Sequence, residues 1–334
     1  MGMLLGVDTG GTYTDAVLIK DQTSVIASAK ALTTRHDLAI GVGEAVHKVL
    51  TQSAVSPDEI TMASLSTTLA TNALVEGQGG RIALVYIGFR ESDLGTHGLN
   101  DALAGDPVLV LKGGHSHAGH EAHPLDETAC SAWLETVSGV SAFAVASQFA
   151  TRNPDHEQRI AALIQGNTGK PVTCSHHLSS RLNGPKRALT AVLNARLIGM
   201  IAHLIEQAED KLQQIGIDAP LMVVRGDGAL ISAAQAKEKP IETILSGPAA
   251  SLVGARWLTK QETAIVSDIG GTTTDVALLR EGRPAIDPAG AQVGPWRTMV
   301  EAVAMRTTGL GGDSEVHVVE DGLEGGLTLG PRRV

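Results

Sequence analysis

Short apolar runs recur along the chain, and two pairs of them share one arrangement. Leu4-Leu5-Gly6-Val7 and Ala16-Val17-Leu18-Ile19 flank a polar, glycine-bearing octet, as do Ala264-Ile265-Val266-Ser267 and Val276-Ala277-Leu278-Leu279. Each unit reads as strand, tight turn, strand. Residues 24–31 extend the first unit as a third strand. Residues 36–52 then switch to helical spacing, with Leu38, Val42, Ala45, Val46 and Val49 on one face. Buried-strand patterns follow at 60–66, 82–86 and 142–147, with one helix starting near Ala70-Thr71-Asn72 and another over 154–165. Residues 90–127, rich in Gly and His and poor in periodicity, are expected to be an inserted loop region. Residues 186–215 carry Ala, Leu and Ile on one face and are expected to form a long connecting helix. A strand at 221–224 and a helix at 248–257 precede the second hairpin. Beyond Asp275 strand and turn signals prevail, at 302–307, 316–319 and 327–329.

Composition sharpens this α/β pattern. Hydrophobic residues make up 43% of the 334, yet aromatics only 2%, so the core is built from Ala, Val, Leu and Ile. That favours buried parallel strands covered by helices. The length accommodates two domains, expected at 1–190, including the Gly/His-rich insertion, and at 191–334, with the connecting helix near 186–215. A formal net charge of −10 argues against a nucleic-acid surface. Cys130 and Cys174 fit neither a disulfide framework nor a paired zinc motif, which suits a reducing compartment. The chain opens on a strand, and no apolar stretch reads as long enough to span a membrane. The expectation is a soluble cytoplasmic protein without a membrane partner.

The octets carry the chemistry. Asp-x-Gly-Gly-Thr-x-Thr-Asp occurs at 8–15 and again at 268–275, 260 residues further on. Paired glycines let backbone N–H groups approach phosphate oxygens, and the adjacent Thr hydroxyls add donors. Asp8 and Asp268, each ending a first strand, are candidates to hold Mg²⁺ through water, because that ion keeps much of its hydration shell while bridging to phosphates. A Walker loop or a dinucleotide fingerprint would run into a helix; here the turn runs into a strand. A single Gly-Gly hairpin is commonly no more than a hairpin. Two copies of one signature point to a nucleotide held between two halves.

Four strings, in this order, resemble the hydantoinase A/5-oxoprolinase family: Val7 through Asp15, Ser66-Thr67-Thr68-Leu69-Ala70-Thr71-Asn72-Ala73-Leu74, Leu245-Ser246-Gly247-Pro248-Ala249-Ala250, and Asp268 through Asp275. The resemblance covers nearly the whole chain. It implies the actin-like ATPase and sugar-kinase superfamily, with two ribonuclease-H-like domains facing each other across an ATP cleft. It also implies an ATP-dependent hydrolase subunit that activates a cyclic amide, such as a hydantoin or a 5-oxoproline-like lactam, by phosphorylating its carbonyl oxygen. ATP and Mg²⁺ are the implied cofactors. A hydantoinase B-like second subunit is the implied partner, with self-association left open.

On this resemblance the phosphate contacts are Gly10, Gly11, Thr12, Thr14, Gly270, Gly271, Thr272 and Thr273, while Asp15 and Asp275 either orient the turns through backbone hydrogen bonds or act directly in catalysis. Thr68 and Asn72 would lie near the reacting centre, or form an ordinary helix start. Asp227, in Arg225-Gly226-Asp227-Gly228, is either a polar anchor in the cleft or a turn-former. Gly311 and Gly312 belong to a Gly-rich loop expected beside the cleft. His115, His117, His120 and His123 form either a transition-metal site or a solvated loop.

The chain departs from the family pattern at Asn183-Gly184-Pro185-Lys186-Arg187, where relatives often carry a Glu-rich segment. Relatives also continue beyond the stretch resembling Gly325 through Pro331, so the second domain is expected to be incomplete around the adenine. The competing readings are a small-molecule kinase of the sugar-kinase type and a non-catalytic nucleotide-sensing module.

Overall fold

Alternating burial builds the first sheet. In the computed structural model, which describes residues 2–34, 37–271, 273–319 and 326–333, strands β1 (Met3–Thr9), β2 (Tyr13–Lys20) and β3 (Ser24–Leu32) form an antiparallel meander. On β1, Met3, Leu5, Val7 and Thr9 all point inward, as period-two geometry requires. Helix α1 (Leu38–Ser53) starts at Asp37, whose side chain accepts from Ala39 N–H. It buries Val42, Val46 and Val49 in the same core. Strand β4 (Ile60–Thr67) then lies parallel to β1 and leads into α2 (Leu69–Val75).

The next strands make a sheet of their own. Strands β5 (Ile82–Ile87), β6 (Val108–Leu111), β7 (Ala142–Ser147) and β8 (Val172–Cys174) are all parallel, in the order β6-β5-β7-β8. Every residue of β5 and β7 is buried, which explains why both read as continuous apolar runs. Helices α3 (Leu99–Leu103), α4 (Glu127–Leu134) and α5 (Asp155–Thr168) connect them. The expectation of an inserted loop region over 90–127 is corrected in part here: the segment also holds α3 and the edge strand β6. Four apolar residues are too short a run for period counting to register.

Helix α6 (Gly184–Ile215) has 32 residues, with Pro185 in its first turn and Gly216 closing it in the left-handed region. It corrects the expectation that no apolar stretch is long enough to span a membrane, because one stretch of it reaches a mean hydropathy of 1.6. Two-thirds of that stretch (67%) is buried within the fold, and α6 buries Arg187, Thr190 and Asn194 among protein groups. It serves as a core helix packed on the second sheet and on α1, the helix that covers β2 and β3 of the first.

After α6 the chain returns to the first sheet. Strand β9 (Leu221–Val224) pairs parallel to β4, and β10 (Leu230–Ser232) follows it, completing the six-stranded order β10-β9-β4-β1-β2-β3. Backbone hydrogen bonds of this sheet therefore join segments on either side of residue 190. Helices α7 (Ala233–Glu238) and α8 (Ser246–Thr259) precede the second hairpin, β11 (Ala264–Ile269) and β12 (Thr274–Arg280).

Four shorter strands follow, β13 (Arg283–Pro284), β14 (Gln292–Val293), β15 (Trp296–Arg297) and β16 (Met305–Thr308). Strands β13 and β16 both pair with β12. A last hairpin joins β17 (Ser314–Val319) to β18 (Gly326–Arg333).

Candidate functional site

The repeated octets fold into repeated geometry. In the first, Asp8 pairs with Asp15 and Thr9 with Thr14, and Gly10 N–H donates to Tyr13 O at 3.0 Å. In the second, Asp268 pairs with Asp275 and Ile269 with Thr274, and Gly270 N–H donates to Thr273 O at 2.9 Å. Identical register and an identical turn bond follow from the shared Asp-x-Gly-Gly spacing.

Helix α8 ties the two turns together. At its start, Ser246 Oγ donates to Thr67 O at 2.9 Å, at the end of β4. One and a half turns on, Ser251 Oγ donates to Asp268 Oδ2 at 2.7 Å, at the end of β11. The first strands of both hairpins thus end near one another. Their carboxylates feel each other: burial pushes the Asp8 carboxyl above its ordinary range, Asp15 and Asp268 push it the same way, and a hydrogen bond from Ser66 Oγ opposes them. Burial likewise raises Asp275, again with Asp268 contributing.

A cavity of about 210 Å³ opens against the first turn, lined by Gly10, Gly11, Thr9, Thr67, Thr68 and Asn72 among others. Thr68 N–H donates to Thr9 O at 3.2 Å, and Asn72 Nδ2 donates to Thr68 Oγ1 at 3.3 Å. The cavity therefore brings together the glycines and the Thr68/Asn72 pair. The Thr12 side chain is exposed at the turn, while its carbonyl accepts from Thr33 N–H at 2.9 Å.

Thr14 departs from the expected phosphate contact. It is fully buried, its hydroxyl shares a 3.0 Å bond with Thr33 Oγ1, and Thr33 Oγ1 in turn donates to Gly10 O at 2.9 Å. Because β2 starts at Tyr13, Thr14 falls on the inward face with Ala16 and Leu18. Its hydroxyl braces the turn from beneath.

At the second turn Gly270 and Gly271 are exposed. The Gly-rich loop docks on them: Gly312 N–H donates to Gly270 O at 2.9 Å and Asp313 N–H to Gly271 O at 2.8 Å. Gly311 N–H is held by Ser314 Oγ at 2.9 Å. A Cβ on Gly271 would sit 2.7 Å from Asp313 Oδ2. Thr273 is partly exposed; Thr272 lies outside the described residues.

Asp227 takes the turn-former's part. It accepts from Arg225 Nε at 2.9 Å and from Ala229 N–H at 3.0 Å, and a further Arg225 nitrogen meets its other oxygen. Burial pushes its carboxyl up, but these bonds outweigh that and hold it below the ordinary value. Its carboxylate is committed to Arg225.

The histidine loop does not converge. His115 is buried against His156, with ring centroids 4.2 Å apart, while His117, His120 and His123 are exposed. Among the described residues, the metal-capable group that does cluster is Glu157, Cys174 and His176, with ligand atoms within 4.8 Å. Glu157 already accepts from Ser147 N–H at 2.7 Å, Ser175 Oγ at 2.6 Å and His176 N–H at 3.0 Å. Burial pushes the Cys174 thiol up to about 12, so the thiolate a metal needs is disfavoured.

Sequence reading did not single out Ser251 or Thr33 for this region. Ser66, Ser246 and Asp313 stood inside strings noted for other members. Long-range hydrogen bonds such as Ser251 to Asp268 leave no local signature.

Gly11 offers a direct test of the cradle. A Cβ there meets no atom within 4 Å, so packing does not demand the glycine. Gly11→Ala is expected to melt within about 1 °C of the parent, since surface changes are typically within 0.5 kcal/mol. If the turn cradles phosphate as the sequence leads one to expect, Mg·ATP affinity is expected to fall about tenfold, because the methyl would intrude where phosphate oxygens approach the backbone. Calorimetric titration reads the second quantity; unchanged affinity would remove this turn from the phosphate site.

Comparison with known proteins places the whole chain. Residues 4–168 match the hydantoinase/oxoprolinase N-terminal region, and residues 187–333 match the hydantoinase/oxoprolinase domain. Caprolactamase subunit alpha of Pseudomonas jessenii is 28% identical over 98% of this chain and 50% of its own length. The acetophenone carboxylase gamma subunit of Aromatoleum aromaticum is 29% identical over 98% of this chain and 49% of its own. The crystal structure of the ATP-dependent caprolactamase from Pseudomonas jessenii superposes with a TM-score of 0.81 at 27% identity, covering 99% of this chain and 51% of that one. The chain spans about half the length of these relatives and shares the mixed α/β fold of several sheets of that caprolactamase structure. It belongs to the hydantoinase/oxoprolinase family.

Proposed function

We propose that this chain is the ATP-binding part of an enzyme subunit that activates the carbonyl oxygen of a small cyclic amide for hydrolysis, with ATP·Mg²⁺ held between its two hairpins. One observation carries the reading: two turns of the same register, with Asp8 and Asp268 near enough to raise the proton affinity of Asp8. In this reading the two hairpins belong to two ribonuclease-H-like halves of an actin-like cleft. The likeness to the ATP-dependent caprolactamase of Pseudomonas jessenii, at 27% identity, supports it.

The residues present suit the group. Gly10 and Gly11 offer backbone at a cavity wall, and open space lies where a Gly11 Cβ would stand. Asp8, Asp15, Asp268 and Asp275 concentrate negative charge that a divalent cation would relieve. Asp8 and Asp268 would hold the ion, Gly10, Gly11, Thr12, Gly270, Gly271 and Thr273 the phosphates, and Gly311 and Gly312 would brace the second turn. When bound, ATP would supply the γ-phosphoryl group that, placed on the amide oxygen, removes the amide resonance and opens the carbonyl carbon to attack by water. The chain's own part is positioning and charge neutralisation. Thr68 and Asn72, which share a cavity with Gly10, would lie beside the reacting centre. Several relatives are named as subunits, which supports a second, hydantoinase B-like subunit completing hydrolysis.

The test is substrate-dependent ATP consumption. With Mg²⁺ and the partner subunit present, phosphate release is expected to rise at least about tenfold on adding a hydantoin, 5-oxoproline or caprolactam, with ring-opened product formed in step. ATP consumption indifferent to all three, or a stable phosphorylated sugar as product, would overturn the proposal.

A further inference from the structure

A second cavity, of about 230 Å³, is lined by Arg225, Glu242, Arg181, Ser179, Met299 and Glu301 among others. It stands at the same edge of the first sheet as the phosphate turn. Strands β9, β4 and β1 run parallel, so Arg225, Thr68 and Gly10 all follow strand C-terminal ends, the edge where α/β sheets take ligands. Two strand spacings separate β9 from β1, roughly 10 Å in all. The segment from Glu242 to Ser246 links the two places, with Glu242 on the cavity and Ser246 bonded to Thr67.

Two opposite charges face this cavity without meeting. The Nε and Nη2 of Arg225 are committed to Asp227, which fixes the guanidinium and leaves Nη1 outside that pair. Glu242 lines the cavity too, and its Oε2 is buried with no donor among the described residues. No ion pair within 4.0 Å joins Arg225 to Glu242 among those residues, although each feels the other's charge. A buried carboxylate oxygen without a donor is unfavourable, and the broad torsion at the end of a Glu side chain can turn either oxygen to the cavity. Burial raises the Glu242 carboxyl, in keeping with the missing donor. Arg181 and Glu301 are half-exposed partners 3.8 Å apart at the rim.

A fixed donor beside an unpaired acceptor is complementary to one arrangement. In a small ring the amide is held cis, so its C=O and N–H point the same way; in an open-chain trans amide they point apart, and a ketone has no N–H. We propose that this cavity grips the cis-amide edge of the substrate, Arg225 donating to the ring carbonyl and Glu242 accepting from the adjacent ring N–H, so that the chain selects cyclic amides bearing N–H over ketones. This rests on the reading of the hairpin site as an ATP-dependent carbonyl-activating centre, and it adds a choice among the carbonyl compounds such a centre serves.

The test uses three probes of similar size: hydantoin, 1,3-dimethylhydantoin and cyclopentanone, titrated into the full chain with Mg²⁺ and a non-hydrolysable ATP analogue. Hydantoin is expected to bind at least about tenfold tighter than either of the others, because a site built to pair an N–H rejects analogues lacking it. Glu242→Met is expected to bring that ratio close to one while the thermal shift given by the nucleotide persists. Equal affinities in the parent protein, or a ratio that survives Glu242→Met, overturn the proposal, as does hydantoin failing to bind. Loss of the nucleotide shift in the parent protein instead removes the hairpin reading, and the hydantoin ratio still scores the cavity. Should Glu242→Met fail to fold, the three-probe series on the parent protein decides alone.

Discussion

An Asp8→Asn variant is expected to keep its fold, melt higher than the parent without nucleotide, and lose the stabilisation that Mg·ATP brings. The reason lies in the Asp8 carboxyl, raised by burial first and by Asp15 and Asp268 as well, against the Ser66 hydrogen bond. A carboxyl raised on folding favours the folded state when protonated. Its contribution is fully present below the unfolded value and is lost as pH rises through the folded one. At neutral pH the charged Asp8 therefore weighs against the empty fold, and Asn removes that penalty while keeping an acceptor for Ser66. On the proposed function, a bound cation would relieve that penalty.

Mg·ATP at a hundred times its Kd stabilises by about 2.7 kcal/mol, which corresponds to several degrees in a chain of this size. That shift is expected to vanish in Asp8→Asn, and ATP turnover to fall at least about a hundredfold. In the parent, the nucleotide shift is expected to weaken as pH falls through the raised Asp8 value, since the proton and the cation compete. Thermal melts with and without Mg·ATP from pH 5 to 8 check both signs. A full nucleotide shift in Asp8→Asn and also in Asp268→Ala would take both carboxylates off the metal side.

What could be read in the sequence depended on how local each device is. The two octets were legible because a tight turn needs its glycines and its Asp in consecutive positions, and the structure returns both with the same pairing. Thr14 was readable but misplaced: Ala16 and Leu18 two and four residues on are inward, so period two already sent Thr14 into the core. By contrast, nothing around residue 221 reveals that β9 returns to β4 across some 150 residues of intervening chain. Ser251 stands in an ordinary helix, and only the packing of α8 aims it at Asp268. The long helix α6 was expected at 186–215 and lies at Gly184–Ile215. Its apolar length signals either a core helix or a membrane span; the burial of Arg187 and Asn194 along it decides for the core.

That buried Arg187 carries the largest expected effect on stability. Glu157, on α5, is fully buried and meets Ser147 N–H on β7, Ser175 Oγ after β8 and His176 N–H. Arg187, in the first turn of α6 and 1% exposed, donates to Ser147 O at 2.9 Å and to Ser175 Oγ at 3.3 Å. Burial lowers its proton affinity and Glu157 opposes that. The two charges thus compensate each other through shared neighbours, and the network joins the second sheet to α6, which packs on α1.

Glu157→Gln keeps the shape and removes the compensating charge. An uncompensated buried cation costs about 3–5 kcal/mol, so the melting temperature is expected to fall by on the order of 10 °C. If charge compensation is the cause, adding Arg187→Met should restore a large part of the loss, because an apolar pair needs no partner charge. A double-mutant cycle therefore separates two accounts of the same buried cluster. Strong coupling between the changes means that Glu157 is there to hold Arg187 charged in the core. Simple additivity, or a single-variant loss below about 1 kcal/mol, means that the hydrogen bonds to Ser147 and Ser175 suffice without the charges.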